Sequence, residues 1–284
     1  MRSWRRVPSL TDSTNVRTLK SNLTVSRNTE MAYNLNEKKV LVVGGSSGIG
    51  LATAELAVAQ GAIVMIASRD EGRLKQAATH LSGRVSVRVV DTLNNDSVVS
   101  MFNEAGIFDH IIVSASSTKT GSVRNLTLED AYASMDSKFW GAYRIAKAAR
   151  LNANGSLTLV SGFLSQRPNP AAPLQGAINA AVEGLVRGLA LEFAPVRVNA
   201  VSPGLIDTPL LSRMSSEQRR AMFDNAKEKL PVQRVGASED IAQAILFVAT
   251  NPYATGSVVT VDGGATIGSI NILGQSLPIP KATS

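Results

Sequence analysis

Short apolar runs alternate with stretches of helical period along most of the chain. Val40, Leu41, Val42 and Val43 form one such run, ended at once by Gly44 and Gly45. A run this short, rich in β-branched residues and closed by glycine, reads as a strand rather than a buried helix. The same reasoning predicts strands at 62–67, 85–90, 111–114, 157–161, 196–201 and 258–261. Helical spacing of apolar residues predicts helices from 51, at 71–81, 96–104, 135–150 and 176–193, and from 238 to 249. Thr127 is placed to cap a further helix, with Asp130 three residues on. Ser238, Glu239 and Asp240 mark the start of the last helix. Strands that alternate with helices argue a parallel sheet covered on both faces and joined by right-handed crossovers.

The first strand enters a glycine-rich turn, Gly44-Gly45-Ser46-Ser47-Gly48-Ile49-Gly50, which opens into a helix. Strand, turn and helix in this order make a pyrophosphate cradle. Gly44 permits the tight turn, Gly48 lets the backbone approach phosphates, and Gly50 lets helix and sheet pack closely. The helix N-terminus presents free N–H groups and a positive dipole end to an anion. The fold class is therefore α/β: a single Rossmann-type, doubly wound domain with a parallel sheet of about seven strands and helices on both faces. It is expected to occupy residues 34–268.

The chain has 284 residues, 44% of them hydrophobic, enough to bury a large single core. No apolar run approaches the ~18 residues of a membrane span. The absence of cysteine excludes disulfides, thiolate chemistry and Cys-type zinc sites. His80 and His110 are the only histidines; each reads as a surface or strand-edge residue, and no metal site is expected. The net charge is +7, of which Arg2, Arg5, Arg6, Arg17, Lys20 and Arg27 against Asp12 and Glu30 place +4 in the first 30 residues. The body lacks basic residues interleaved with aromatics, so no nucleic-acid partner is expected. Residues 1–33 read as a disordered basic leader: either an organelle transit peptide or an extension ahead of a start at Met31. The expected location is cytoplasmic, with organelle targeting as the alternative. Residues 269–284 read as a C-terminal tail.

Several of these stretches resemble the short-chain dehydrogenase/reductase family over about residues 37–267. The Gly44-x-x-x-Gly48-Ile49-Gly50 spacing matches its cofactor motif. Arg197-Val198-Asn199-Ala200-Val201-Ser202-Pro203-Gly204, followed by Ile206, Asp207 and Thr208, matches a long family signature. Val261-Asp262-Gly263-Gly264 matches the ending of the last strand. The resemblance implies that Asp91, with Thr92 beside it, contacts adenine and that Ser114 and Ala115 stand at the strand end beside the cofactor. It also implies that Pro203 and Gly204 pass under the nicotinamide, with Ile206 and Thr208 holding its carboxamide and the phosphates. A mobile lid is implied at about 209–230, and a homodimer or homotetramer through the helices around 135–150 and 176–193. At the end of the second strand, Ser68 stands where an acidic residue would repel a 2′-phosphate, and Arg69 offers a planar fork of donors. NADP(H) is the expected cofactor.

The same resemblance places the family's proton-transfer residues at positions that differ here. Gln175 aligns with the tyrosine, Asn179 with the lysine, Gly162 with the serine and Lys138 with the asparagine; Ser161 is the neighbouring hydroxyl. Glutamine is no general acid at neutral pH, and asparagine brings no charge. Lys138, Ser161, Gln175 and Asn179 are therefore the candidate catalytic residues. Ser165, Gln166, Arg167 and Asn169 offer polar groups where substrate sits in the family, and Met214, Met222 and Phe223 offer an apolar lining. Three functions stay open. The first is an NADPH-dependent reductase of a small-molecule carbonyl, or of an imine or iminium carbon, the iminium needing no protein acid. The second is a cyclase, isomerase or reductase/cyclase of specialised metabolism on the same fold. The third is a non-enzymatic NADP(H)-binding sensor.

Overall fold

The computed structural model describes residues 35–209, 211 and 214–268. The leader at 1–33 and the tail at 269–284 lie outside the described residues. Seven strands form one sheet: β1 (Lys39–Val43), β2 (Ile63–Ser68), β3 (Val85–Val89), β4 (Phe108–Val113), β5 (Leu151–Val160), β6 (Arg197–Pro203) and β7 (Val258–Val261). Every neighbouring pair is parallel, in the order β3-β2-β1-β4-β5-β6-β7. The helices are α1 (Gly48–Ala59), α2 (Glu71–His80), α3 (Asn95–Ala105), α4 (Leu128–Met135), α5 (Gly141–Ala148), α6 (Pro173–Glu192), α7 (Ser216–Lys229) and α8 (Ser238–Thr250).

Alternation along the strands divides the core into two layers. Leu41 and Val43 of β1 point to one face, where they pack with Met101 and Phe102 of α3, Ile145 of α5 and Val182 and Val186 of α6. Val40 and Val42 point to the other, with Ala54 of α1, Leu74 of α2 and Ile241 and Ile245 of α8. Both faces of the sheet are thus dry, as apolar strands without polar alternation require. The chain builds outward from β1 to β3, then crosses to β4 on the other side of β1. A crevice follows at the carboxyl ends of β1 and β4, where the winding reverses.

Three departures from the sequence pattern matter. The helix that Thr127 caps, accepting the Asp130 N–H at 3.1 Å, runs without a break into the one expected from 135. Between α4 and α5 the run widens into a π turn, Asp136–Trp140, without leaving helical conformation. Such a turn shifts the register of the side chains around it, and here Lys138 is its buried residue. The third departure corrects the expectation for His110. It lies buried inside β4, with Nδ1 2.9 Å from Ser156 Oγ on β5, because β4 and β5 begin earlier than their apolar runs. Burial, then the nearby Arg197 charge, pushes its pKa down to about 4. His80, by contrast, is exposed on α2.

Candidate active site

The glycine turn forms one wall of the crevice. Gly44 has a φ of 91°, and a Cβ there would come within 2.6 Å of the Ala115 nitrogen. A Cβ on Gly50 would come within 2.2 Å of the Gly44 carbonyl oxygen and 2.6 Å of Ser114 Oγ. Glycine is therefore a packing requirement at both positions. Ser114 and Ala115 fix the end of β4 to β1: both N–H groups donate to the Val43 carbonyl, at 2.9 and 3.1 Å, and Ser114 Oγ donates to it at 3.2 Å. Ser47 stands at the α1 N-cap without a side-chain hydrogen bond to the helix, and the first turn holds no acidic residue. Asp70, Asn94 and Ser215, by contrast, cap their own helices. The N-terminal dipole of α1 is left for an anion.

Around this turn stand the other predicted contact residues. Gly48 faces Thr208, whose Cβ would be 3.4 Å from an added Cβ, so a narrow slot separates them. Arg69 is exposed at the end of β2 and makes no ion pair among the described residues, while Ser68 is half-buried. Asp91 Oδ1 accepts the Leu93 N–H at 3.1 Å, which shapes the turn after β3. Thr92 is buried, and its carbonyl accepts from Arg144 of α5 at 3.1 Å. Pro203 ends β6; Gly204 follows, where a Cβ would be 2.5 Å from Asp262 Cα. Ile206 bridges to Gly236, and Asp207 pairs with Arg219 of α7. The first contact ties the segment after β6 to the chain entering α8, the second ties it to α7. The approach of Thr208 to Gly48 thus brings the glycine turn and this segment together.

Beside the end of β5 lies a buried polar network drawn from three elements. Gln175, Asn179 and Glu183 recur every four residues along α6, so they share one face. Lys138 reaches that face from the π turn. Its Nζ donates to Asn179 Oδ1 and to the Ser161 carbonyl, each at 2.7 Å. Ser161, just past the end of β5, donates from Oγ to Glu183 Oε1 at 2.9 Å. Ser165 donates to the same oxygen at 2.7 Å. Lys138, Ser161, Asn179 and Glu183 are all buried. Burial pushes the Lys138 pKa down to about 8, with the Glu183 charge pulling it back up. Gln175 Oε1 is buried without a hydrogen-bond partner among the described residues. Between Ser161 and the loop lies Gly162, where a Cβ would be 2.7 Å from Asn179 Nδ2.

The structure thus brings Lys138, Ser161 and Asn179 into one hydrogen-bonded group, with Gln175 one turn before Asn179. Sequence reasoning missed Glu183. Its signal was the four-residue spacing from Gln175 and Asn179, unusual for a charged residue on an inward helix face. The polar loop after β5 makes its own set of hydrogen bonds. Ser165 is bonded to Glu183, Gln166 Nε2 donates to Thr260 Oγ1 at 3.1 Å, and Asn169 Oδ1 accepts the Ala171 N–H at 2.8 Å. These bonds shape the loop, and Ser165 and Asn169 also line a cavity of about 540 Å³ together with Leu164, Pro168, Ala172 and Gly176. Met222 packs with Leu205 and Leu230, and Phe223 lies under the Arg219 guanidinium at 5.3 Å. Among the described residues, no group of three His, Cys, Asp or Glu side chains converges as a metal site, and no helix is long and apolar enough to cross a membrane.

Comparison with known proteins agrees with this architecture. The family model described as enoyl-(acyl carrier protein) reductase matches residues 43–266. The short-chain dehydrogenase/reductase ucsE of Acremonium sp is 31% identical over 265 residues, spanning 84% of this chain and 99% of that protein. The structure of the MalC reductase/Diels–Alderase from Malbranchea aurantiaca aligns with a TM-score of 0.75 at 28% identity, covering 81% of this chain and 96% of that one. An NADPH-bound short-chain oxidoreductase from Pseudomonas aeruginosa PAO1, described as containing an atypical catalytic center, aligns with a TM-score of 0.74 at 31% identity, covering 82% and 98%. With the glycine turn at the switch point of a seven-stranded parallel sheet, these matches establish that the chain belongs to the short-chain dehydrogenase/reductase family of oxidoreductases.

Proposed function

We propose that this protein reduces a small-molecule carbonyl with NADPH, using Lys138 as proton donor in place of the family's tyrosine. One observation supports the reading: a buried ammonium beside the end of β5 has two of its three N–H groups bonded, to Ser161 and Asn179, and no bond among the described residues takes up the third. The third N–H is available to a substrate oxygen. When bound, NADPH supplies the hydride. The uncapped N-terminus of α1, with Ser46 and Ser47, suits its pyrophosphate, and the exposed Arg69 suits a 2′-phosphate. NADPH in the related Pseudomonas structure supports that choice. Asp91 and Thr92 border the adenine side, and Pro203, Gly204, Ile206 and Thr208 the nicotinamide side.

Lys138 polarises the carbonyl and stabilises the developing alkoxide, then gives up its third proton to it. The neutral amine left behind still has two N–H groups for the Ser161 carbonyl and Asn179 Oδ1. The nitrogen therefore stays in place throughout the transfer. Lys138 also restores, from the π turn, the cation that the family carries at position 179. Glycine at 162 belongs to the same change, because a serine there would collide with Asn179. Gln175 is a hydrogen-bonding residue that orients the substrate without exchanging a proton. A cationic iminium fits less well: a like charge about 4 Å from the ammonium costs on the order of 4 kcal/mol at an effective dielectric constant of about 20. A second copy of the chain is expected on the outer face, where Trp140 and Tyr143 stack edge-on and are about half exposed.

The test is NADPH consumption against a panel of aldehydes and ketones, with stoichiometric alcohol product. Lys138→Met should lower kcat by about 10²–10⁴-fold while leaving NADPH bound. Because the acid must be protonated, kcat should fall as pH rises through about 8. Undiminished turnover by Lys138→Met would overturn the assignment. A second reading is supported by the likeness to the MalC reductase/Diels–Alderase: the crevice shapes a cyclisation, and product then forms without net NADPH consumption.

A further inference from the structure

Glu183 has no part in the mechanism so far. A carboxylate on the inward face of a core helix is costly unless it is paired or hydrogen-bonded. Glu183 is answered by two hydroxyls converging on Oε1, from Ser161 at 2.9 Å and Ser165 at 2.7 Å. Ser161 is bound at both ends: its hydroxyl is on Glu183 and its carbonyl on Lys138. Its N–H also donates to the Val201 carbonyl of β6 at 2.9 Å. One residue thus connects a buried anion to a buried cation without direct contact between them.

We propose that Glu183 is a positioning residue for the reduction: through Ser161 it fixes the carbonyl that holds the Lys138 nitrogen, and its charge keeps that nitrogen an ammonium. The inference rests on the proton-donor role of Lys138 and extends it. The other charged groups on the elements packed around the π turn are engaged or outside. Asp130 of α4 is paired with Lys119, Asp136 of the turn with Arg144 of α5, and Arg187 of α6 is exposed. Burial alone drives Lys138 toward the neutral amine, and Glu183 is the charge that opposes it. The fixed geometry also explains why Ser165 is folded inward. Its hydroxyl is spent holding the carboxylate, not a ligand.

The measurement is the titration of the Lys138 side chain by NMR, in protein labelled with ¹³C at lysine Cε and assigned by the signal lost in Lys138→Met. In the unaltered protein the midpoint is expected at about 8. Glu183→Gln, close in shape but uncharged, should lower it by about one pH unit. Glu183→Asp, which keeps the charge but draws it back, should return it most of the way. The high-pH limb of kcat should move with the same midpoints; a merely structural role would lower kcat without moving the limb. An unchanged midpoint in Glu183→Gln overturns the proposal. If Glu183→Gln does not fold, the apolar Glu183→Leu, which removes the charge without leaving an unpaired acceptor, carries the test, and an unchanged midpoint in it overturns the proposal. The titration needs no turnover. A shifted midpoint with no carbonyl reduction would count against the proposed reaction, not against the coupling of Glu183 to Lys138.

Discussion

The two walls of the proposed site, the glycine turn after β1 and the polar network past β5, are built on different principles. The wall at 44–50 is backbone. Its specific residues are glycines, and their task is to be absent: the chain passes so close to Ala115, Ser114 and itself that a single methyl group has no room. The wall at 138, 161, 175, 179 and 183 is side chain. Lys138, Ser161, Asn179 and Glu183 answer one another there, and Gln175 Oε1 is left without a partner among the described residues. In the proposed reading the backbone wall binds the cofactor's pyrophosphate, which does not vary with the substrate, so it has little freedom to change. A side-chain wall can be rebuilt by moving a charge from one element to another. In the proposed reading the cation has moved from α6 to the π turn, and Gly162 has made room for the asparagine left behind.

The largest effect is expected from breaking the backbone wall. Gly50→Ala gains about 1 kcal/mol of helix propensity, since Gly50 lies in the first turn of α1. The new Cβ, however, would stand 2.2 Å from a backbone carbonyl that the β1–β4 junction holds in place. Overpacking against fixed backbone costs about 3 kcal/mol, which outweighs the propensity gain. Gly50→Ala should lose stability in chemical denaturation and lose NADPH binding together. Normal cofactor affinity in a stable Gly50→Ala protein would show that the turn is not the cradle.

Gly162→Ala sharpens the contrast, because there the obstacle is a side chain. The added Cβ meets Asn179 Nδ2 at 2.7 Å, and the amide can swing away. Swinging breaks its bond to the Lys138 ammonium, a loss of about 1.5 kcal/mol, so stability should fall less than in Gly50→Ala. A displacement of the donor nitrogen by about 1 Å should nevertheless lower kcat by about 100-fold. The two glycine variants therefore separate: one damages the fold and the cofactor site, the other mainly the turnover. Equal losses of stability in both would erase the distinction between the walls.

The same contrast explains what was legible in the sequence. The glycine turn could be read because its residues are contiguous and its context, strand before and helix after, is local. The sheet could be read because dry strands need unbroken apolar runs. Lys138 could be singled out by its position, but its burial depends on a π turn that leaves no mark on apolar spacing. Glu183 was overlooked because α6 reads as an ordinary amphipathic helix, and an inward carboxylate becomes intelligible only when Ser161 and Ser165 are seen to answer it. His110 was misjudged for a related reason. Asp109 and His110 interrupt the apolar run of β4, yet both are satisfied across strands, by Asn152 and Ser156 of β5. Polar residues that find partners far away in the chain are invisible to periodicity.

Arg69→Ala has the smallest expected effect and tests the backbone wall at its rim. Arg69 is exposed, so its removal leaves no cavity and no buried partner. Stability should stay within ~0.5 kcal/mol of the unaltered protein. A phosphate held by this guanidinium in water loses one charge-assisted contact, worth on the order of 1.5 kcal/mol. NADPH should therefore bind about tenfold more weakly, while NADH, which has no 2′-phosphate, should be unchanged. The loss should shrink with added salt, since the contact is open to solvent. A parallel loss of NADPH and NADH would place Arg69 on a group common to both. The 2′-phosphate preference would then have to come from Ser68, where the missing carboxylate merely omits a repulsion.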